Sequence, residues 1–356
     1  MTIKITKNQT PDVRKVSFVT DDVEKVTMSI DAAMLNQVTK HLTDMYRKPL
    51  ESMIRETISN ALDASADGVV EVTPPSTLFE YVKVRDWGVG MSREEVVSVY
   101  TQYGSSTKRD DLTTIGAKGA GAKSPLSYAH SFNVVTVKDG VKTEVVMTRG
   151  EESNVAELSP SVATDEPNGT TVTIPVMSKD VIEARKLITE EYPAYDIHER
   201  IRVVGVEDAP KFAHNFAKLD TVTLTDGDKS VGVDVYVRRE CRVWNLANAI
   251  GHIDRGSDDV NFVIGGYGYT KSGSKQKPSI VVDLLPGLVD FVPSRESIID
   301  NSRLSGLLSE IHSSLCGKGL ADDFRLANWM LDEMIDDLTF AQQLGVYSVL
   351  REAEKN

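Results

Sequence analysis

The 356-residue chain is poor in the residues that staple or metallate small folds, with two cysteines, Cys241 and Cys316, and six scattered histidines. The cysteines lie far apart in no metal-ligand spacing, so neither a disulfide framework nor a zinc cluster is expected, and a reducing, cytoplasmic interior is the simpler compartment. Long hydrophobic runs are also missing. The N-terminal MTIKITKNQTPDVRK has no apolar stretch, and the most apolar segment, SIVVDLLPGLVDFV at 279–292, carries Asp283 and Asp290. Neither a signal peptide nor a membrane span is expected, which leaves peripheral membrane association open. Positive charge is in deficit, at 40 Lys and Arg against 53 Asp and Glu, for a net charge of -13. That balance disfavours a surface that wraps nucleic acid or an anionic bilayer, and leaves at most a local basic groove. There is no internal repeat and no low-complexity tract.

What remains is a globular composition, 40% hydrophobic and 26% charged, long enough for two domains and an appendage. Short strands are expected within residues 1–28. Helical spacing follows over 31–48 and again from about Leu50 to Ala66, closed by Gly68. VVEVT and LFEYVKVRD read as strands, and Ser92 with Glu95 forms a capping box that opens a helix at SREEVVSVYTQY. A loop rich in Gly, Ser, Thr and Lys spans 104–124, and SPLSYA after it has the makings of a helix start. FNVVTVKDG and VKTEVVMTRG form a hairpin pattern, and GTTVTIPV at 169–176 is a further strand.

Beyond a helical DVIEARKLITEEYPAY, a second β-rich segment offers RIRVV, TVTL, VGVDVYV, VNFVIGG and SIVVDLL, closed by a helix at about 301–316. The expected architecture is α/β: domains at 1–180 and 181–320, then a helical segment at 321–356. In that tail Phe324, Ala327, Leu331, Met334, Leu338 and Ala341 recur at 3,4 spacing, which suits packing on the chain itself or a dimer contact. The three lysines in GGYGYTKSGSKQKPS at 265–279 suit a solvated hairpin tip or a phosphate or partner contact.

Candidate chemistry begins in IRETISNALDAS at 54–65. At 100° per residue, Glu56, Asn60 and Asp63 fall within about 60° of one another, with Ile54, Ile58, Ala61 and Leu62 opposite. One face packs, and the other is polar, either solvated or convergent on a ligand. VRDWGVGMS puts Asp86 at a strand end, before two glycines that permit a sharp turn and close backbone approach. A carboxylate there could accept a hydrogen bond from an exocyclic amine such as that of adenine. The dinucleotide fingerprint is not met, because its third glycine is missing. IGAKGAGAKSP at 115–125 combines three glycines, two lysines and a serine, an anion nest in composition. It fails the Walker A pattern by one residue, since Ala122 separates Gly121 from Lys123.

Taken in order, E-x-x-x-N-A-x-D-A (Glu56 to Ala64), D-x-G-x-G-M (Asp86 to Met91), SSTK (Ser105 to Lys108), G-x-x-G-x-G (Gly116 to Gly121) and Gly169-Thr170 resemble the GHKL ATPases, the superfamily of DNA gyrase B, Hsp90, MutL and histidine kinases. The resemblance spans roughly residues 30–176. YRKPLESMIRETISNALDAS is similar to an Hsp90 stretch, and the K-S-P-L-S-Y run followed by AHSF resembles phage rIIA proteins. It implies a Bergerat-type ATP-binding sandwich of helices on a mixed sheet, with ATP and Mg²⁺ as ligands. Glu56 would be the general base, Asn60 the Mg²⁺ ligand, and Asp63 part of the network around the phosphates. Asp86 would bind the adenine amine, with Met91 and Thr170 completing the pocket and Gly88 and Gly90 allowing the approach. Residues 92–123 would form a lid, with Ser106, Gly116, Gly119, Gly121 and Lys123 at the nucleotide; Lys118 stands where the family often has Phe, His or Arg.

DFVPSRESIIDN at 290–301 resembles an Hsp90 middle-domain segment whose arginine reaches the γ-phosphate, which makes Arg295 a candidate sensor of that group. The second domain would then be Hsp90-middle-like or transducer-like. The resemblance further implies slow ATP hydrolysis, with nucleotide-driven lid closure and homodimerisation acting on an unknown protein partner or client. Three alternatives stand beside it: a non-catalytic, rIIA-like regulator that counters host functions, a chaperone-like ATPase and a MutL-like one. Against a histidine kinase stand the second α/β domain and the lack of a preceding helix with a phospho-acceptor His. Net acidity argues against a topoisomerase.

Overall fold

The computed structural model describes residues 3–7, 14–18, 46–65, 68–101, 121–150, 154–226, 229–255, 260–264, 267–270, 278–292, 294–334 and 340–353. The chain divides into two compact units, Met1–Val38 and Thr39–Asn356. Within the first, β1 (Ile3–Lys7) and β2 (Arg14–Phe18) form an antiparallel pair, with Ile3 opposite Phe18. Most of the helix expected over 31–48 lies outside the described residues.

The second unit is built on two sheets, each with its own core. The first comprises β3 (Val70–Thr73), β4 (Tyr81–Arg85), β5 (Ser131–Lys138), β6 (Val141–Thr148), β7 (Val155–Leu158), β8 (Val162–Ala163), β9 (Gly169–Pro175) and β10 (Ile201–Val203). Its order is β10-β3-β4-β9-β5-β6-β7, with β8 also on β6. Strand β5 turns into β6 through Asp139 and Gly140, both at positive φ, the backbone of a tight hairpin turn whose twist matches the strands. Helix α1 (Pro49–Ala64) packs on this sheet through Met53, Ile54, Ile58 and Leu62, each burial worth roughly 1.5–3 kcal/mol. Helix α2 (Arg93–Thr101) opens with the expected capping box: Ser92 N donates to Glu95 Oε2 at 2.6 Å, and Glu95 N to Ser92 Oγ at 3.3 Å.

Two local expectations change here. RIRVV does not join the second sheet: β10 pairs in parallel with β3, Ile201 opposite Val70, so the first sheet takes a strand from beyond residue 180. Strand β3 offers an edge that the parallel partner fills, and strand pairing of this range is invisible to local pattern. SPLSYA does not open an α-helix either. Gly121–Ser127 is a 3-10 segment with Pro125 inside it, and a proline lacks the N–H that a continuing helix needs.

The second sheet runs β11 (Phe216–Asp226), β12 (Lys229–Arg238), β15 (Ile280–Asp283), β13 (Val260–Ile264), β14 (Tyr267–Thr270) in spatial order, antiparallel except for β13 with β15. Its core is closed by α3 (Val243–Gly251), α4 (Ser302–Gly317), α5 (Asp323–Met334) and α6 (Phe340–Ala353), in which Leu246, Ile250, Leu308, Ile311 and Val346 are buried together. The tail packs on its own chain, with a face rotated from the expected one. Leu326, Ala327 and Met330 are buried, whereas Phe324 is 44% exposed. Of the 265–279 loop, residues 265–266 and 271–277 lie outside the described set.

Candidate functional site

Strand β4, between β3 and β9 in the first sheet, ends just before Asp86. The β4–β9 ladder sets Arg85 opposite Thr171, and Asp86 N extends it to Thr170 O at 2.9 Å. Asp86, 4% exposed, accepts hydrogen bonds at Oδ1 from Gly88 N (2.9 Å) and Thr170 N (3.1 Å). Burial pushes its carboxyl up, and those two amides pull it partly back. The turn that follows needs its glycines. Gly90 has φ +70, and a Cβ there would sit 1.9 Å from Val137 O.

A residue the motifs did not include ties this turn and β9 together. Thr136, fully buried on β5, accepts from Met91 N at 2.9 Å and shares a hydrogen bond with Thr170 Oγ1 at 3.0 Å. The signal was present in the sequence, because the alternation that buries Phe132 and Val134 puts Thr136 on the same face, where an apolar residue would be ordinary. Tyr100 of α2 is also buried here, and its hydroxyl feels the Asp86 charge, although burial is the larger reason that its pKa is raised.

The other candidate residues lie on the polar face of α1. Glu56 is 3% exposed, with Asn60 and Asp63 half-buried along the same face. This face is covered by Gly121. A Cβ at that glycine would lie 2.5 Å from Glu56 Oε2 and 3.7 Å from Asn60 Nδ2, so a larger residue there would have to displace the end of the Glu56 side chain. Lys123 is 4% exposed and gives its Nζ to Val99 O at 2.6 Å, near the C-terminal end of α2. Burial lowers its pKa to about 8. Ser106, Gly116, Lys118 and Gly119 lie outside the described residues.

The second lobe meets α1 on the flank beside Glu56. Arg55, 2% exposed, donates Nη2 to Glu56 Oε1 (3.3 Å) and to Ser294 O (3.0 Å), with its guanidinium carbon 5.4 Å from the centre of the Tyr267 ring. The Tyr267 hydroxyl donates to Glu51 one turn earlier. Ser294 and Arg295 occupy a turn pinched by a bridge between Phe291 and Ile298. Arg295 N donates to Val292 O at 2.8 Å, and Arg295 itself stands at φ +55, a strained backbone for a residue with a Cβ. Its guanidinium lies over the Phe291 ring at 5.0 Å. Four charges act on the Tyr46 hydroxyl. Burial first and then Glu56 raise its pKa, Arg55 and Arg295 oppose them, and Glu296 adds to the rise. Arg295 and Glu56, separated by 239 residues, thus act on one hydroxyl.

Residues 46–173 match the family described as histidine kinase-, DNA gyrase B-, and HSP90-like ATPase. Over these residues the chain is similar to the GHKL-type ATPases. A DNA mismatch repair protein MutL of Methanoculleus marisnigri is 25% identical over 199 residues, 52% of this chain and 32% of that protein. The chain therefore spans about a third of that relative's length. That similarity implies nucleotide binding, and the matched span holds a buried carboxylate, Asp86, and a polar helix face with Gly121 against Glu56. Among the described residues no group of three or more His, Cys, Asp or Glu could hold a metal. Mg²⁺ takes most of its oxygens from phosphate and water, so its binding does not require such a group. Among the described residues no helix is long and apolar enough to cross a membrane.

Proposed function

We propose that the protein binds Mg·ATP and hydrolyses it slowly, its nucleotide state governing lid closure and homodimerisation. The observation that carries this reading is the buried Glu56 carboxylate, with Oε1 on Arg55 and Oε2 against Gly121. Arg55 orients the carboxylate, so Oε2 is the atom that takes the proton from an attacking water. Asp86 accepts the adenine amine at Oδ2, the oxygen that neither Gly88 nor Thr170 engages, with Met91, Gly88, Gly90 and Thr170 around the base. When bound, Mg²⁺ held by Asn60 neutralises charge on the phosphates. Asp63 orders the groups beside it, Gly121 and Lys123 approach the phosphates, and Arg295 meets the charge developing on the transferred group. Ser106, Gly116 and Gly119 are assigned to the phosphates by motif alone. The organisation into a 1–180 nucleotide domain, a 181–320 transducer-like domain and a C-terminal helical segment belongs to the same reading.

Phosphate release from Mg·ATP tests it. Glu56→Ala is expected to lower turnover by about 100-fold or more with nucleotide affinity retained. Arg295→Ala should reduce turnover far more than affinity. Equal turnover in wild type and Glu56→Ala would remove Glu56 as the base. Light scattering with a nonhydrolysable analogue tests dimerisation, and a protein that stays monomeric overturns it.

The K-S-P-L-S-Y run favours a second reading, a phage rIIA-like regulator in which binding matters and hydrolysis does not. Full affinity without phosphate release would select it. The 199-residue similarity to a mismatch repair protein favours a MutL-like role for the same ATPase, which nucleotide-dependent pull-down from the native host would test.

A further inference from the structure

The Arg295 turn reaches α1 through a neighbour outside the assigned site. Glu296 Oε1 accepts from Lys48 N at 2.8 Å and from Ser52 Oγ at 3.1 Å, while its Oε2 accepts from Ser294 Oγ at 3.1 Å. Lys48 is the N-cap position of α1, and its own side chain makes no capping hydrogen bond. A helix start has unpaired backbone donors and a positive dipole end, and both favour a carboxylate there. Here that carboxylate comes from 248 residues away. With Arg55 donating to Ser294 O, the turn grips Lys48, Ser52 and Arg55, positions spaced by four and then three along one flank of the helix. Glu56 is the next residue.

We infer that Glu296 is a positioning residue, a tertiary N-cap that fixes the Arg295 turn on the start of α1 and thereby sets Arg295 and Glu56 in one geometry. Three facts make it more than a surface contact. Its two oxygens divide between the helix and the turn, so one side chain fixes each relative to the other. Arg295 sits at positive φ, a backbone that its surroundings must hold in place. The grip lies on the strained turn and on the first turn of the helix that carries the base, which leaves the adenine end untouched.

The inference rests on the proposed hydrolysis for its kinetic part only. In steady-state ATP turnover, Glu296→Ala is expected to lower kcat by about tenfold with KM within about twofold, whereas Glu296→Gln, which keeps the Oε1 acceptor, stays within about threefold of wild type. In the Arg295→Ala background, Glu296→Ala should cost nothing further, because two residues acting through one geometry are not additive. Hydrogen exchange on peptides covering residues 46–53, without nucleotide, gives a readout independent of activity. Glu296→Ala should speed exchange there and Glu296→Gln should not. If the wild type fails to release phosphate while Glu296→Ala still deprotects residues 46–53, the hydrolysis reading falls and the cap stands. Unchanged exchange overturns the cap, as does a multiplicative loss in the double variant. Should Glu296→Ala fail to fold, Ser52→Ala removes one helix donor and is read by the same two measurements, with a smaller effect in the same direction.

Discussion

Asp86 is held by the first sheet alone, whereas Glu56 lies where two separately built lobes meet. Around Asp86 the fixed partners are local to that sheet: Thr170 from β9, itself bonded to Thr136 of β5, and Gly88 in the turn two residues on. Ladder hydrogen bonds set that geometry as the sheet forms. Glu56, by contrast, is bonded to Arg55, and Arg55 to a carbonyl from residue 294. The difference teaches that, under the proposed function, recognition of the base would be preformed, while competence for the reaction would depend on how the second lobe is seated.

Asp86→Asn tests the preformed end and should give the largest effect. Asparagine keeps Oδ1 as an acceptor for Gly88 and Thr170 but offers an amide donor to the adenine amine. Nucleotide affinity is expected to fall by roughly 100-fold, from a lost charge-assisted bond and an unpaired donor, with the melting temperature preserved. Calorimetric titration with ADP measures this. Wild-type affinity would show that this carboxylate does not read the base.

An intermediate effect is expected from Gly121→Ala. The added Cβ meets Glu56 Oε2, a side-chain terminus that can yield only by leaving Arg55. Turnover should drop about tenfold while ADP affinity changes little. A larger loss of affinity than of turnover would mean that the loop serves the base pocket instead, which would break the comparison between the two ends.

Smallest is the pH effect at Lys123. Its pKa, lowered to about 8 by burial, means that the charge is present below that pH and lost above it. Triphosphate affinity should therefore weaken by a few-fold between pH 7 and pH 9, and Lys123→Met should flatten the dependence. Stability runs the other way. Between about 8 and the ordinary value of 10.5 the unfolded chain holds the proton and the folded chain does not, so this group stabilises the fold as pH rises. A flat wild-type affinity profile would leave the lysine to its contact with Val99 O.

Both ends were legible in the chain to different depths. Asp86 could be read because a strand end and two glycines sit within five residues, and Glu56 because helical periodicity alone separates the polar from the packing face. Thr136 left a weak mark, a hydroxyl on a buried strand face. Arg55 and Glu296 left none, since an arginine beside a glutamate in a helix is ordinary until something from another lobe buries it. RIRVV was read as a strand and still assigned to the wrong sheet, because alternation fixes a strand's faces and says nothing of its neighbours.

The sequence by itself determined the elements and the chemistry that each could carry: the amphipathic helix of Glu56, the strand ending at Asp86, the glycine-rich segment and the P-S-R-E turn. Period and turn chemistry are local, so they are written locally. Only the tertiary structure decided which of these meet. It covered Glu56 with Gly121, turned Arg55 from a surface charge into a buried bridge, and set a carboxylate from residue 296 on the first turn of the helix. Those are pairings across tens to hundreds of residues, and they exist only once each sheet has buried its own core.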